Sequence, residues 1–278
     1  MKKLSLLLVL VLLLSACAPE GGSDESDLRI VSLAPSLTEI VYALDLGDNL
    51  VGRSDFDTYP AEVESVESFG SLMEPDVEKI ISLAPDYAIH VFDNPDLSSQ
   101  LEAAGIEVVR FEQVETVEAT YELIERVGAL FGREDKAKEV SAKMKDDIAA
   151  INQKVAGAEP TSVYYVVGFG PDGDFTATGE TFIHDMIRLA GGDNIAKDAT
   201  GWSYNLENLL AADPEIIITS NQWDMKPTFM AAENYDQLTA VKEDRVYEIS
   251  PDLLDRQGPR IVEGIETIAK ILHPDLFE

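Results

Sequence analysis

The side chains that could do chemistry in this 278-residue chain are of two kinds. One kind could hold a metal. The histidines are His90, His184 and His273, and zinc or manganese needs several histidine or carboxylate ligands converging on one point. His184 falls within a helical run and His273 at the end of the last one. Only His90, closing a strand-like run, is placed to reach a ligand, and one imidazole makes no metal cage. Nucleophilic chemistry has no support either, because GxSxG and HExxH are both absent and a lone cysteine lies near the N-terminus. GFGPDG, residues 168–173, has the glycines of a phosphate loop but no lysine, and Pro171 removes an amide; it reads as a turn. The other kind is suited to holding a molecule. Ser36, Arg53, Asp57, Tyr59 and Phe92 stand in the first half, and Phe175, Trp202, Tyr204, Trp223, Asp252 and Arg256 in the second. Aromatic walls with a few polar groups suit a large, flat, partly apolar ligand. Each aromatic could instead pack in a core, and each arginine could sit in an exposed ion pair.

These residues share a position relative to the elements around them. RIVSLA (29–34), DYAIHVF (86–92), SVYYVVGF (162–169) and EIIITS (215–220) read as strands. Between the first two lie an amphipathic helix, Gly47-Asp48-Asn49 and EPDVEKIISLAPD (74–86). Between the second two lie another such helix, Gly192-Asp193-Asn194 and SYNLENLLAADPE (203–215). In both, an N-cap candidate (Asp76, Asn205) precedes a first-turn glutamate (Glu78, Glu207) by two places, and proline (Pro85, Pro214) follows seven places on. Order and caps repeat, so the chain reads as two α/β lobes of related design. Loops at the carboxyl ends of parallel strands face the cleft of such folds, and that is where the candidate residues lie.

The intervening residues 116–131 and 134–155 are rich in helix formers and lack proline, which predicts a helical bar between the lobes. The last helix is expected from Pro259, with Ile261, Ile265, Ile268 and Leu272 on one face. The divisions are thus 1–16, an export signal; 17–27, a tether; 28–114, the N-terminal lobe; 115–157, the helical linker; and 158–278, the C-terminal lobe.

The start MKKLSLLLVLVLLLSAC is basic, then apolar over too short a stretch for a typical span, as in an export signal. Leu14-Ser15-Ala16-Cys17 resembles the bacterial lipobox, which implies cleavage before Cys17 and acylation of its thiol. With no second cysteine an internal disulfide is excluded, so the core alone must hold the domain. Residues 18–27 (APEGGSDESD) are small and acidic, as befits a tether. The chain carries a net charge of −31, and such a surface repels nucleic acid and anionic headgroups.

RIVSLAPSLTEIVYALDLGDNLVG, DFDTYP, EKIISLAPD, GETFIHDMIRLAGGDNIA, LENLLAADPEIIIT and DRQGPRIVEGI, in this order, resemble the substrate-binding lipoproteins of ABC importers for vitamin B12, iron siderophores and haem. The resemblance covers about residues 28–274. It implies two lobes joined by a rigid backbone helix, a protein without catalytic activity or catalytic cofactor, acting as a monomer on the outer side of the membrane or in the periplasm. It also implies delivery of ligand to a permease dimer driven by cytoplasmic ATPase subunits. DFDTYP is most similar to the B12 binders, which implies a corrinoid ligand, with ferric siderophore or haem as alternatives and an enzyme or scaffold on the same fold as a further one. On that resemblance Asp57, Tyr59, Phe92, Phe175, Trp202, Tyr204, Asp252 and Arg256 are the expected ligand contacts, and Glu78 and Glu207 dock to the permease. The chain departs from the pattern at Leu72 and Val91, where B12 binders are expected to carry tryptophan. Ser71 stands where haem binders typically place an axial tyrosine.

Overall fold

The computed structural model describes residues 28–171 and 173–278; the signal, the tether and the Cys17 acylation site lie outside the described residues. The first lobe runs β1 (Ile30–Ser32), α1 (Pro35–Ala43), β2 (Leu50–Gly52), α2 (Val77–Ser82), β3 (Tyr87–His90), α3 (Pro95–Ala103) and β4 (Glu107–Arg110). Two helices follow, α4 (Val117–Leu130) and α5 (Glu134–Val155). The second lobe runs β5 (Thr161–Tyr165), β6 (Asp174–Phe175), α6 (Phe182–Leu189), β7 (Gly192–Asn194), β8 (Ser203–Tyr204), α7 (Leu206–Ala212), β9 (Ile216–Ser220), α8 (Met225–Ala231), α9 (Thr239–Lys242), β10 (Val246–Ile249), α10 (Pro251–Leu254) and α11 (Ile261–Leu272).

The four-stranded sheets have orders β2-β1-β3-β4 and β10-β9-β5-β7, parallel throughout. Ranked by position within its own lobe, each sheet places its second strand, then first, third and fourth. The repeat read from caps and prolines is therefore a repeat of topology. Its two copies are offset at one place. Gly47–Asn49 forms a 3₁₀ turn before β2, whereas Gly192–Asn194 is itself the strand β7. Asn49 donates its amide to the Leu28 carbonyl and Asn194 to that of Ala177, so each asparagine ties its strand to a different neighbouring segment.

Alternation along the strands divides the interior. Ile30 and Ile89 of the first sheet face one cluster, and Val31 and Ala88 face another. In the second sheet Val163, Tyr165, Ile216 and Ile218 face inward, while Tyr164, Val166 and Ile217 face the outer core. The inward faces belong to one continuous cluster with α4, α5 and α11. At 22 residues α5 extends about 33 Å, with Ala137, Ser141, Met144, Ile148, Ile151 and Val155 on its buried face. Thr116 caps α4, its hydroxyl oxygen accepting from the Ala119 N–H at 3.1 Å. A Cβ at Gly128 would lie 2.5 Å from Ala137 Cβ, so this glycine permits the close approach of α4 and α5.

Two expected elements are shorter than their apolar runs. The run from 162 to 169 is a strand only to Tyr165, because beyond Val166 the chain leaves β9 and the Val167 and Gly168 amides donate to the Phe175 carbonyl. The last helix starts at Ile261 rather than Pro259; the Ile261 N–H donates to the Gly258 carbonyl, so Pro259 and Arg260 form a turn that aims Arg260 at the first lobe.

Candidate functional site

Between the lobes lies a cavity of about 320 Å³ assembled from loops at the carboxyl ends of the strands. Gln113 comes from the loop after β4. Tyr165 to Val167 come from the end of β5, Ser220, Trp223 and Met225 from β9 and beyond, and Pro251, Asp255 and Gln257 from the chain after β10. Phe182 and Ile183 at the start of α6 and the Trp202 ring complete it. A smaller hollow of about 230 Å³ shares Gln113, Phe182, Trp202 and Gln257 and adds Glu115 and Glu180. Together they form a trough at the crevice expected of parallel sheets. A larger hollow, about 650 Å³, lies on the flank of the first lobe, lined by Asp45, Asp48, Glu62 and Glu67. It lies beside the start of β2 rather than at the carboxyl ends of the strands, and Tyr42 is its one aromatic among the described residues, so it is a poor candidate for a flat ligand.

Two tryptophans dominate the trough. Trp202 is held by the two-stranded ribbon of β6 and β8, where its carbonyl accepts from the Thr176 N–H at 2.9 Å. Phe175 lies in the same ribbon, exposed, beside the trough rather than lining it. Trp223 is 77% exposed, and its backbone sits in the left-handed region at φ 57°, followed by Asp224 at φ 51°. A large side chain in that region costs free energy, and here it is spent holding an indole at the mouth of a cleft.

The polar floor is Asp255. The Tyr165 hydroxyl donates to its Oδ1 at 3.3 Å. Asp255 is exposed to the cleft as a residue, yet the protein around its carboxyl desolvates it enough to push its pKa up to about 6, against the opposing effect of the Tyr165 hydrogen bond. Gln113 and Gln257 flank it with neutral amides.

Of the residues singled out in the sequence, Trp202 and Trp223 line the trough, while others are engaged elsewhere. Asp57 is buried; its Oδ2 accepts from the Ser54 N–H at 2.8 Å and the Ser54 hydroxyl at 2.5 Å, so it closes a local turn. Tyr204 packs against Tyr164 in the outer core, and its hydroxyl donates to the Ile195 carbonyl. Arg53 donates to the carbonyls of Val66 and Ser54, and Ser36 is buried in α1. Phe92 is exposed after β3, its carbonyl 2.7 Å from His90 Nδ1. His90 is itself buried, and desolvation lowers its pKa, which favours the neutral ring. His184 lies 3.4 Å from the Asn194 amide and His273 3.1 Å from the Gly191 carbonyl. Among the described residues no group of three or more His, Cys, Asp or Glu could hold a metal ion.

Asp252, Arg256 and Tyr59 belong to a clasp between the lobes. Arg256 Nη1 meets Glu39 Oε1 at 3.0 Å, and its Nη2 donates to Asp252 Oδ1 at 2.7 Å, to the Phe56 carbonyl at 2.9 Å and to Thr58 Oγ1 at 3.3 Å. The Thr58 hydroxyl donates to Asp252 Oδ2 at 3.1 Å. Arg260 Nη1 reaches the same Glu39 oxygen at 3.2 Å, and its guanidinium lies 4.2 Å from the centre of the Tyr59 ring. The side chain of Glu39 is 1% exposed, and burial raises its pKa against the pull of Arg260 and Arg256.

At the outer helices, Asp76 Oδ1 accepts from the Lys79 N–H at 2.9 Å and Asn205 Oδ1 from the Asn208 N–H at 2.7 Å, so both segments have the same N-cap. Glu78 and Glu207 are exposed in the first turns of α2 and α7. Neither carboxylate is held in an ion pair among the described residues.

A family model described as periplasmic binding protein matches residues 30–253. The chain belongs to this family. It is 38% identical over 259 residues to an uncharacterized ABC transporter substrate-binding lipoprotein of Bacillus subtilis, covering 90% of this chain and 81% of that one. To a cobalamin-binding protein of Halobacterium salinarum it is 30% identical, over 90% of this chain and 70% of that one. The solved apo structure of a periplasmic heme-binding protein from Roseiflexus superimposes with a TM-score of 0.81 at 24% identity, covering 90% of this chain and 99% of that one. This periplasmic binding protein is thus the substrate-binding component of an ABC importer, a transport protein and not an enzyme. Its fold is that of the two-lobed binding proteins, as the resemblance implied. Among its described residues no helix is long and apolar enough to cross a membrane.

Proposed function

We propose that this binding protein captures a corrinoid between its lobes and delivers it, chemically unchanged, to the permease of an ABC importer. The observation that carries the ligand reading is the trough itself, with the Trp202 and Trp223 rings at a floor of one carboxylate and two carboxamides. Rings stack on a flat macrocycle, and amide groups pair with the amides at its periphery. Tyr59, Phe92, Phe175, Asp57, Tyr204, Asp252 and Arg256 then act mostly by shaping the lobes and the clasp around the ligand. Export and acylation at Cys17 would hold the protein at the membrane surface. The exposed glutamates Glu78 and Glu207, one on each lobe at equivalent places, are the handles for two permease subunits. The lobe limits 28–114 and 158–278, joined through 115–157, follow from the same reading. Titration with cyanocobalamin, hemin and ferric siderophores tests it. Binding at micromolar affinity or tighter is expected for cyanocobalamin, and its absence with tight hemin binding would overturn the corrinoid assignment.

A further inference from the structure

Resting on the reading of the trough as the ligand cleft, we infer that it selects against negative charge. It takes an uncharged or cationic ligand that offers amide-like N–H donors, and Asp255 sets this preference. The polar lining is Gln113, Gln257, Ser220, Thr181, Tyr165, Asp255, Glu115 and Glu180. Among the described residues no lysine, arginine or histidine lines either hollow.

The basic groups that follow strands at this end of the molecule are already engaged. Arg256 and Arg260 converge on Glu39, Arg53 donates to two backbone carbonyls, Arg110 lies 3.5 Å from Asp93, Lys197 2.6 Å from Asp193 and Lys226 3.5 Å from Asp244. A ligand carboxylate or catecholate entering here would meet no guanidinium to replace its water, and it would approach the Asp255 carboxylate. An amide or ammonium group meets the opposite situation. Asp255 Oδ1 takes the Tyr165 hydroxyl, and no other side-chain donor among the described residues reaches the carboxylate, so it has acceptor capacity left for a ligand N–H. Gln113 and Gln257 can each donate and accept, the arrangement needed to pair with an amide whichever way it points. Aromatic surface holds the ring, and the polar floor reads the charge at its edge.

The test compares ligands that share a ring and a metal. Dicyanocobinamide carries amide side chains on the corrin, and dicyanocobyrinic acid carries carboxylates in their place. Isothermal titration of the purified protein at pH 7.5 should give at least 100-fold tighter binding of the amide form. A second pair, cationic ferrioxamine B and a trianionic ferric tricatecholate, should be ranked in the same sense. Asp255→Asn should weaken cobinamide about 10-fold and narrow the gap between the two corrinoids. Gln257→Glu, which adds a charge without touching Asp255, should widen the gap, and melting curves report whether each variant is folded. Equal binding of amide and acid corrinoids, preference for the tricatecholate, or a ratio unmoved by either variant overturns the inference. Loss of both corrinoids with ferrioxamine B still preferred over the tricatecholate would refute the corrinoid reading and keep the charge preference.

Discussion

Replacing Arg256 by alanine should loosen the junction of the lobes, and the cost can be worked from the geometry. Arg256 reaches Glu39 Oε1 at 3.0 Å, and the two side chains are 11% and 1% exposed. Removing one partner of a buried pair costs about 3–5 kcal/mol, because the remaining charge is left without compensation. Arg260 still reaches the same oxygen at 3.2 Å, so the lower end, about 3 kcal/mol, applies. The donations to the Phe56 carbonyl and Thr58 disappear as well, and with them the direct ties of Arg256 to the 56–58 loop. At roughly 2–4 °C per kcal/mol for a domain of this size, the melting temperature should fall by about 6–12 °C. Arg256→Lys should recover little of it, since one ammonium cannot serve four acceptors fanned around a guanidinium. A double-mutant cycle of Arg256→Ala with Glu39→Ala, followed by circular dichroism melts, isolates the pair. A drop under about 2 °C, or a coupling energy below about 0.5 kcal/mol, would refute the clasp.

The Asp255 carboxyl is held above its ordinary range, at about 6, by desolvation, with the Tyr165 hydroxyl from β5, Asp252 of α10 and the neighbouring Arg256 facing it. An acid raised in the folded state binds its proton more tightly there than when unfolded, so its ionisation destabilises the fold as pH rises from about 4 to about 6. Asp255→Asn should therefore match the parent melting temperature near pH 4 and exceed it increasingly up to pH 7; a constant difference would contradict this. Trp223→Gly should raise stability by up to about 1.5 kcal/mol, because left-handed backbone costs a side-chain-bearing residue about 1–2 kcal/mol and glycine returns about 0.5–1 as lost chain freedom. The same variant should weaken cyanocobalamin binding more than 10-fold by titration, and a fall in melting temperature would show that the backbone there is not strained. Glu78→Arg combined with Glu207→Arg should abolish ligand uptake by cells while leaving affinity in solution unchanged, and undiminished uptake would rule out the docking role.

What the sequence disclosed was mostly local. Asp76 and Asn205 announced their caps three residues before the amides they hold, and the α5 face was legible from spacing along one helix. The trough was only partly legible. That its residues lie in loops after strands follows from the order of elements, but which side chain of a loop turns inward depends on the opposite lobe. Arg256 looked like a ligand contact, yet its partner Glu39 stands 217 residues away on a helix whose amphipathic pattern gave no hint of a buried charge. Asp255 and Gln257 flank it in the same segment, and no spacing in the sequence distinguishes them from it. Tyr204 was misleading in another way. It lies two residues from Trp202, but Trp202 precedes β8 and lines the trough, whereas Tyr204 within β8 packs into the outer core.

The unbroken inner core has a consequence for recombination. Because side chains from Ile30 through the long helix to Leu272 belong to one apolar body, neither lobe ends where its sheet ends. A hybrid receptor made by joining the first lobe of this chain to the second lobe of a relative would be cut through this shared apolar body. The outer helices, packed in two separate clusters of their own, are the parts that could be exchanged while leaving that shared interior whole.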